Sequence, residues 1–420
     1  MTARLPEVPG GTDEFRLVGG TLIDGTGAAP VPDAEIGIIG DRLVYVGPRR
    51  AHGHGREIDV RGRWILPGFI DAHVHLVMST SVDAERQRLW FPEEAVIAAV
   101  GNLRATLEAG VTTARDLSGL TPGYRSAIAS GAVLGPRLHL AIAMLSPTGG
   151  HADPVHANGT LPVWAERGMA SGTAVVDTLD DVVRAVRVLV RTGADVIKVC
   201  TSGGVSTPND SPSDTGLPRE HVAAIVAEMA GRSGQPVTAH AQSDASVRAA
   251  VEGGAASIEH GYDLTADTIA LMRERGVVLV PTLSTLLRTP PGPVDAARQA
   301  RQARQERGLE SISAAVAAGV PVALGTDAGI HEQGRNLTEL AHLVRVGLSP
   351  LEAVRAGTLV GARLLRLDHA LGSVEPGKLA DLVITDADPL GDIGALADPQ
   401  RVRGVVQGGR FVKDLDDLAP

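Results

Sequence analysis

A glycine recurs at the boundary between a helical pattern and an apolar run, and this recurrence constrains the fold more than any other feature of the sequence. It occurs at Gly110, Gly193, Gly234, Gly254, Gly276 and Gly319. Glycine adopts the left-handed conformation that ends many helices without a Cβ clash, so each recurrence indicates a helix-to-strand connection. The central part of the chain is therefore predicted to alternate helices with strands.

Apolar runs and helical patterns extend this alternation over most of the chain. Residues 69–75 and 137–144 add two strands to those that follow the glycines. Helical patterns fill the intervals at 93–109, 179–191 and 219–232. Ser349, Pro350 and Glu352 match the N-cap, N1 and N3 preferences of a last helix. Eight strand and helix units over about 300 residues predict an α/β fold, a (β/α)8 TIM barrel.

Short β-like segments separated by turn residues stand at both ends of the chain. They occupy residues 15–24, 34–39 and 42–46 at the beginning, and 380–385, 403–407 and 410–413 at the end. Neither group is large enough to bury a core alone, so the two are predicted to pair into one small β-sandwich. The predicted units are residues 1–65 and 367–420 for the two halves of the sandwich, and residues 66–366 for the barrel.

Charge and composition exclude several classes of partner. The formal net charge of -10 repels nucleic acid phosphates, and no segment approaches the apolar length that spans a bilayer. Residues 1–30 have no continuous apolar core, which argues against a secretory signal and favours a cytoplasmic protein. The arginine-rich segment 298–307 is predicted to form the solvated face of a long helix. We expect a small-molecule substrate, neither nucleic acid nor membrane as a partner, and a homo-oligomer.

The predicted strand ends carry polar residues that could bind a metal. They are His73 and His75 on strand one, Lys198 on strand four, His240 on strand five, His260 on strand six and Asp327 on strand eight. Active sites of such barrels lie at the C-terminal ends of the strands, so these side chains are predicted to converge. Cys200 is the only cysteine, so any metal must be held by nitrogen and oxygen ligands. Alternatively, each histidine satisfies a local hydrogen bond and Asp327 caps a helix.

Lys198 is the most informative of these residues. It lies in the apolar stretch Val-Ile-Lys-Val, where an unpaired ammonium group would be costly to desolvate. Burial lowers the pKa of a lysine, and a neutral amine can take up carbon dioxide. The resulting carbamate is a carboxylate suited to bridging two divalent cations. An ion pair with an acidic residue on a neighbouring strand is the alternative.

Together, these residues resemble the ligand set of the amidohydrolase superfamily, in its binuclear branch with a carboxylated lysine. The matching motifs are His73-Val-His75, Lys198, Ala239-His240-Ala241, Glu259-His260-Gly261 and Gly325-Thr-Asp327. The framing segments are also similar, and they read Leu66-Pro-Gly-Phe-Ile-Asp and Pro376-Gly-Lys-Leu-Ala-Asp-Leu-Val. The resemblance covers nearly the whole chain, and the combination of motifs is far more specific than any one of them.

The resemblance implies a role for each of these residues. His73 and His75 would bind the first metal with Asp327, His240 and His260 would bind the second, and N6-carboxylated Lys198 would bridge them. Zinc is the expected metal, with manganese or cobalt as substitutes, because imidazole and carboxylate ligands suit it. Two divalent cations lower the pKa of a shared water and polarise the scissile carbonyl, and Asp327 can carry a proton from the hydroxide to the leaving nitrogen.

The loops after strands three and four resemble those of a subgroup that includes Xaa-Pro dipeptidases and imidazolonepropionase-like amidohydrolases. They read Ser146-Pro-Thr-Gly-Gly-His151 and Thr201-Ser-Gly-Gly-Val-Ser-Thr-Pro. In that subgroup a histidine at the position of His151 contacts the substrate carbonyl, so His151 is a candidate catalytic residue; a solvent-exposed loop histidine is the alternative. A tyrosine that holds the substrate carboxylate is expected near Thr215, where this chain departs from the pattern and reads Ser213-Asp-Thr-Gly-Leu-Pro.

Three functional hypotheses follow from these residues. The leading one is a metal-dependent hydrolase of amide or peptide-type C–N bonds in a dipeptide, an N-acyl amino acid or a xenobiotic amide. The second changes the bond to that of a cyclic amide, carbamate or lactone, because loops and not ligands decide the substrate. The third is a non-catalytic assembly protein that has lost its metals, against which the intact ligand set argues. Aromatic residues are 2% of the chain, which favours substrate selection by polar loop contacts.

Overall fold

Strands from the two ends of the chain flank a central region in which strands and helices alternate. The computed structural model describes residues 4–78, 90–155, 158–160, 173–205, 210–232, 234, 236–288 and 296–419. Its strands are β1 (Glu14–Leu22), β2 (Val31–Ile39), β3 (Arg42–Pro48), β4 (Arg56–Asp59), β5 (Trp64–Pro67), β6 (Phe69–Val74), β7 (Val111–Asp116), β8 (Arg137–Leu140), β9 (Met144–Ser146), β10 (Thr173–Val175), β11 (Ile197–Cys200), β12 (Val237–Ala241), β13 (Ser257–His260), β14 (Val278–Val280), β15 (Leu382–Thr385), β16 (Val402–Gln407) and β17 (Arg410–Asp414).

Helices occupy most connections between the central strands. They are α1 (Pro92–Glu108), α2 (Pro122–Ala129), α3 (Leu179–Thr192), α4 (Arg219–Ala230), α5 (Asp244–Glu252), α6 (Ala266–Arg275), α7 (Leu283–Leu286), α8 (Ala296–Ala317), α9 (Thr338–Arg345), α10 (Pro350–Arg355) and α11 (Gly361–Leu364). A π-helical turn, Ala356–Val360, joins α10 to α11, and a 3-10 helix covers Ile393–Ala397. In the part of the chain that is described, no helix has the length and apolarity needed to cross a bilayer.

Several helix ends follow the sequence-based expectation closely. Each of the predicted glycine positions has a positive φ, from 62° at Gly234 to 105° at Gly193. A side chain would strain the backbone at such an angle, which explains the glycine that ends α3. The predicted N-cap of α10 is also confirmed: the Ser349 hydroxyl accepts the Glu352 N–H, and the Glu352 carboxylate accepts the Ser349 N–H at 2.8 Å.

The central strands pair in parallel and form two sheets. One sheet has the order β10-β9-β11-β12-β13-β14, and the other has the order β6-β7-β8. Residues 320–328 join β14 to β6 through backbone hydrogen bonds on both sides, among them those from the Leu279 N–H to the Pro321 carbonyl at 2.8 Å and from the Ala72 N–H to the Leu324 carbonyl at 2.9 Å. The C-terminal ends of the parallel strands therefore lie on one side of this region.

Two of the eight predicted central strands differ from the expectation. Residues 320–325 form an isolated bridge and no regular strand, and Pro321 has no N–H to donate to a ladder. The predicted strand 137–144 is divided into β8 and β9, because Ile142 has a φ of 70° and turns the chain out of the extended path. Among the described residues, the ladders therefore form two parallel α/β sheets and not one continuous ring.

The strands predicted at both chain ends share one sheet of eight strands. Its order is β17-β16-β15-β5-β1-β2-β3, with β4 paired to β1. β5 connects the two ends, because it pairs in parallel with β1 and antiparallel with β15, and it spans the predicted boundary at residue 65. Leu17, Ile36, Ile65 and Leu382 are fully buried against this sheet and belong to a core of its own.

A buried ion pair fastens this sheet to the central strands. Arg137, on β8, donates to both carboxylate oxygens of Asp381 at 3.2 Å, and each side chain is only 3% exposed. Asp381 also accepts the Gly408 N–H at 2.7 Å, and Arg137 donates to the Pro6 carbonyl at 3.0 Å. If one of the two side chains were removed, the charge of the other would stay buried without a counterion. The two residues are therefore stable only as a pair.

We expect Arg137→Met to lower the free energy of unfolding by about 3–5 kcal/mol, because it leaves the Asp381 carboxylate buried without its cation. Urea denaturation followed by circular dichroism measures the change. Arg104→Met is the matched control, since Arg104 pairs with Glu108 on the exposed surface of α1 and its loss should change stability little. Equal stability of the two variants would show that the Arg137 pair does not hold the sheet in place.

Candidate metal centre

Three ligand-type side chains converge at the C-terminal end of β6. Nε2 of His73 and Nε2 of His75 each lie 3.3 Å from Oδ1 of Asp327. One ligand atom from each of the three residues lies within 4.8 Å of the others, and all three side chains are buried. Imidazole nitrogens and a carboxylate oxygen at this spacing suit a divalent cation. The structure thus brings three of the predicted ligands into one candidate metal site.

Hydrogen bonds to the other ring nitrogens orient the two histidines. Nδ1 of His73 lies 2.7 Å from Oε2 of Glu259, and Nδ1 of His75 lies 2.9 Å from the Ser118 hydroxyl. An ionised carboxylate only accepts hydrogen bonds, so Nδ1 is the protonated nitrogen in neutral His73 and Nε2 is the nitrogen that can bind a cation. Nε2 lies on the Asp327 side of the ring, where a metal-binding histidine needs its free nitrogen.

Asp327 is held in place by a buried carboxylate on β6. Asp71 accepts the Thr326 hydroxyl at 2.7 Å, the Thr326 N–H at 3.1 Å and the Asn336 amide at 2.8 Å. It also accepts the His73 N–H at 3.1 Å, so one side chain orients both sides of the site. Burial alone would raise the pKa of Asp327. The charges of the two neighbouring histidines, and their hydrogen bonds to the carboxylate, outweigh that effect and hold the pKa well below its usual value.

His240 and His260 lie next to this group, on β12 and at the end of β13. The ring centroid of His260 is 5.2 Å from that of His73 and 4.6 Å from that of His240. Nδ1 of His260 lies 2.7 Å from the Thr282 hydroxyl, and Nε2 of His240 lies 3.0 Å from the Gly203 carbonyl, so one nitrogen of each ring is left for a ligand. Burial lowers the pKa of both rings well below the usual value, and neutral imidazole is the form that binds a cation.

Lys198 is buried on β11, and its amine has no hydrogen-bond partner among the described residues. Burial lowers the pKa of Lys198 to about 8, although the negative charge of Glu259 acts in the opposite direction. The alternative of an ion pair across the strands is not observed in the described ranges, since Glu259 pairs with Arg115 instead. A buried amine with a lowered pKa is the group that the predicted carboxylation requires.

Arg115 and Glu259 form a buried network that sequence reasoning missed. Arg115 donates to Glu259 at 2.7 Å, to the Ala72 carbonyl at 2.5 Å and to the Ser257 hydroxyl at 3.2 Å. Ser257 and Thr238 also donate to Glu259. Burial would raise the pKa of Glu259, but the charge of Arg115 outweighs it and lowers the pKa. The signal in the sequence was an arginine inside the strand predicted to follow Gly110.

His151 lies against the candidate metal site and not in open solvent. Its ring stacks on that of His240, with centroids 3.9 Å apart and an interplanar angle of 15°. Asp210 lies 2.8 Å from Nδ1 of His151 and accepts the Gly204 N–H at 2.7 Å. Gly204 leaves room for the ring, because a Cβ there would come within 2.2 Å of it. The last three residues of the predicted loop motif, 206–208, lie outside the described residues.

Known proteins resemble this chain over nearly its whole length. The sequence profile described as Amidohydrolase family matches residues 64–412. Ochratoxinase of Aspergillus niger is 30% identical over 435 residues, covering 98% of this chain and 89% of that protein. The solved structure of a prolidase complexed with N-methylphosphonate-L-proline superposes with a TM-score of 0.86 at 33% identity, over 96% of this chain and 100% of that one. A Xaa-Pro dipeptidase with bound methionine gives a TM-score of 0.81 at 29% identity, over 95% of this chain and 100% of that one.

The matched range includes both sides of the candidate metal site. It contains β6, which carries His73, and the segment 320–328, which carries Asp327. It also includes β5 and β15, through which the two ends of the chain pair. The resemblance stated from the motifs is thereby confirmed by the profile and by full-length structural similarity. The chain belongs to the amidohydrolase family.

Proposed function

We propose that the protein is a binuclear metal-dependent hydrolase of amide C–N bonds in small-molecule substrates. The observation that carries this proposal is that Nε2 of His73 and Nε2 of His75 each lie 3.3 Å from Oδ1 of Asp327. The buried amine of Lys198, which has no hydrogen-bond partner among the described residues, supports it. Relatives named prolidase and Xaa-Pro dipeptidase support a peptide-type bond. We also propose that the two parallel sheets and residues 320–328 together make a (β/α)8 barrel.

The buried side chains fit two divalent cations. In this proposal His73, His75 and Asp327 would hold the first, His240 and His260 would hold the second, and N6-carboxylated Lys198 would serve as a ligand of both. The fit rests on the unpartnered Lys198 amine and on the histidine nitrogens that face away from their hydrogen-bond partners. Zinc suits these ligands, and manganese or cobalt could replace it. When bound, the cations supply Lewis acidity that polarises the scissile carbonyl and lowers the pKa of a water.

Asp327 is the residue that moves the proton in this proposal. Its carboxylate oxygen lies 3.3 Å from Nε2 of both histidines, at the proposed position of the first metal, so it can accept a proton from a water that attacks there. The proton then passes to the leaving nitrogen, while a C–O bond replaces the C–N bond. Asp71 restrains Asp327 through Thr326, which reduces the reorganisation needed during the reaction.

His151 is the residue of this chain that we propose to contact the substrate carbonyl. It stacks on His240 and is oriented by Asp210, so an N–H of its ring can stabilise negative charge that develops on the carbonyl oxygen. The molecules bound in two similar structures, N-methylphosphonate-L-proline and methionine, each carry a carboxylate. This favours dipeptides and N-acyl amino acids as substrates, and xenobiotic amides remain part of the proposed class. A cyclic amide, carbamate or lactone is the alternative substrate class.

A metal-replete preparation assayed against dipeptides, N-acyl amino acids and carbamates tests this function. We expect cleavage of at least one amide and about two divalent ions per chain in elemental analysis. Asp327→Asn is the mechanistic control: the amide cannot carry a proton, so kcat should fall while most metal is retained. Full activity in protein without metal would contradict the mechanism, and an inactive protein without metal would indicate a non-catalytic assembly homologue.

We expect Lys198→Ala to lose at least one of the two metals, because no anionic group then separates the two cations. Elemental analysis before and after dialysis measures the loss. Lys378→Ala, at a lysine that bonds to Ser373 near the surface, should keep the metal content of the unchanged protein. Short carboxylic acids should partly restore the activity of Lys198→Ala. A structure of active, fully metallated enzyme with an unmodified Lys198 would contradict the bridging role.

We expect His151→Ala to lower kcat/KM by roughly a hundredfold on the best substrate, the effect of losing one oxyanion donor. Metal content should not change, since His151 is not among the proposed ligands. His52→Ala, at an exposed histidine of the terminal sheet region, is the matched control and should leave kcat/KM unaltered. Kinetics of His151→Ala close to those of the unchanged protein would leave carbonyl activation to the metals alone.

A further inference from the structure

Helix α8 packs one of its faces directly beside the candidate metal centre. The Ser311 hydroxyl donates to the Gly261 carbonyl at 3.4 Å and accepts the Leu264 N–H at 2.9 Å. One turn earlier, Gly308 lies so close to α7 and β13 that a Cβ there would be 2.8 Å from Leu286 and 3.5 Å from Tyr262. Gly261 directly follows the proposed ligand His260 in the sequence. The face that contains Gly308 and Ser311 therefore looks toward the metal centre.

The first turns of α8 extend beyond the strand ends on the catalytic side. The helix ends at Ala317, and the chain then runs through residues 320–328 to Asp327, so its beginning lies on the same side as Asp327. A helix rises about 1.5 Å per residue, which places Arg304 about 10 Å and Arg301 about 15 Å beyond Ser311. These two arginines precede Gly308 by four and seven residues, so they share its face.

No acidic side chain in the described part of the chain pairs with the arginines on this face. Among the described residues, neither Arg301 nor Arg304 forms an ion pair, and the buried Nε of Arg304 makes no hydrogen bond. Burial lowers the pKa of Arg304, with Tyr262 opposing this effect and Arg301 adding to it. The phenol of Tyr262 is itself 3.4 Å from Nδ1 of His260. The sequence predicted a solvated face for this segment, but a half-buried guanidinium without a partner does not fit that description.

We propose that Arg304, assisted by Arg301, binds a carboxylate of the substrate at the edge of the metal centre. This inference rests on the proposed function and deepens it, because it names amides with a free carboxylate, such as N-acyl amino acids and dipeptides, as the substrate class. A guanidinium group presents a planar pair of donors that matches the two oxygens of a carboxylate. The bound anion also offsets the repulsion between the two arginines and satisfies the half-buried group.

A pair of substrates with the same amide bond tests this carboxylate site. N-acetyl-L-phenylalanine carries the carboxylate, and N-acetyl-2-phenylethylamine lacks it. We expect kcat/KM to be higher for the first, and Arg304→Gln to lower the ratio of the two values about 10- to 100-fold, mainly through KM, which is the range for a charge-assisted hydrogen bond. Arg304→Lys should recover part of the ratio, because it keeps the charge but not the fork.

Arg307→Gln is the matched control, because Arg307 is exposed and lies one residue from Gly308, off the face that looks toward the metals. It should leave the ratio unchanged. An unchanged ratio in Arg304→Gln would overturn the carboxylate site while leaving amide hydrolysis in place. If Arg304→Gln leaves the ratio of the two kcat/KM values unchanged but dissociates a homo-oligomer in size-exclusion chromatography, the carboxylate site is overturned. Arg304 would then belong to an interface between copies of the chain.

Equilibrium binding separates this inference from the proposed function. Calorimetry with N-acetyl-L-phenylalanine and the metal-replete Asp327→Asn protein, which should turn the amide over slowly, should show a Kd that rises about 10- to 100-fold when Arg304→Gln is added and stays constant when Arg307→Gln is added. If no amide is cleaved but this difference is found, the proposed function fails and the carboxylate site stands. If N-acetyl-L-phenylalanine is not cleaved and binds neither the protein with Arg304 nor its Arg304→Gln variant, the carboxylate site is overturned.

Discussion

The burial of opposite charges in one connected network is the constraint on which the candidate metal centre depends. Glu259 lies out of water between Arg115 and His73, with contacts of 2.7 Å to each. Removing Arg115 or Glu259 would leave the other charge buried without its partner, so these two residues are stable only as a pair. Because Glu259 accepts a hydrogen bond from Nδ1 of His73, residues outside the proposed ligand set orient this ring and turn Nε2 toward Asp327.

Irregular backbone at the strand ends places the ligands. Glu259 and His260 are neighbours, and a regular strand would send their side chains to opposite faces. His260 instead has a φ of 77°, so that Glu259 contacts His73 while His260 also packs beside the His73 ring. Asp327 has a φ of 61°. Such conformations cost about 1–3 kcal/mol each. The hydrogen bond between His260 and Thr282, and those that Asp71 accepts from Thr326 next to Asp327, compensate for part of that strain.

The arrangement separates the reaction from the selection of a substrate. Five of the six proposed metal ligands lie on strands or directly after them, where neighbouring ladders fix their positions, and Asp327 lies in the bridged segment 320–328. The residues proposed to contact the substrate, His151 and Arg304, lie on a loop and on the projecting turns of α8. Loops and protruding helices can change without disturbing the buried charges, so one family can serve many substrates with one reaction centre.

Local signals in the sequence determined the elements and most of the candidate site. Glycines at helix ends predicted the positive φ values, because only local backbone sterics matter there. His73 and His75, at the end of predicted strand one, were predicted to converge with the other strand-end ligands, and both approach Asp327. Lys198 was predicted to be buried because an apolar strand surrounds it, and it is.

Only the tertiary structure decided what depends on contacts between distant parts of the chain. The Arg115 to Glu259 pair joins residues 144 positions apart, and Asp71 holds Thr326 across 255 positions. No local pattern marks such partners, because burial and charge neutralisation arise only when the strands have packed. Tertiary contacts also decide that residues 320–325 form no regular strand and that Arg304 lies on the half-buried face of α8. Both depend on neighbours in space and not on neighbours in the sequence.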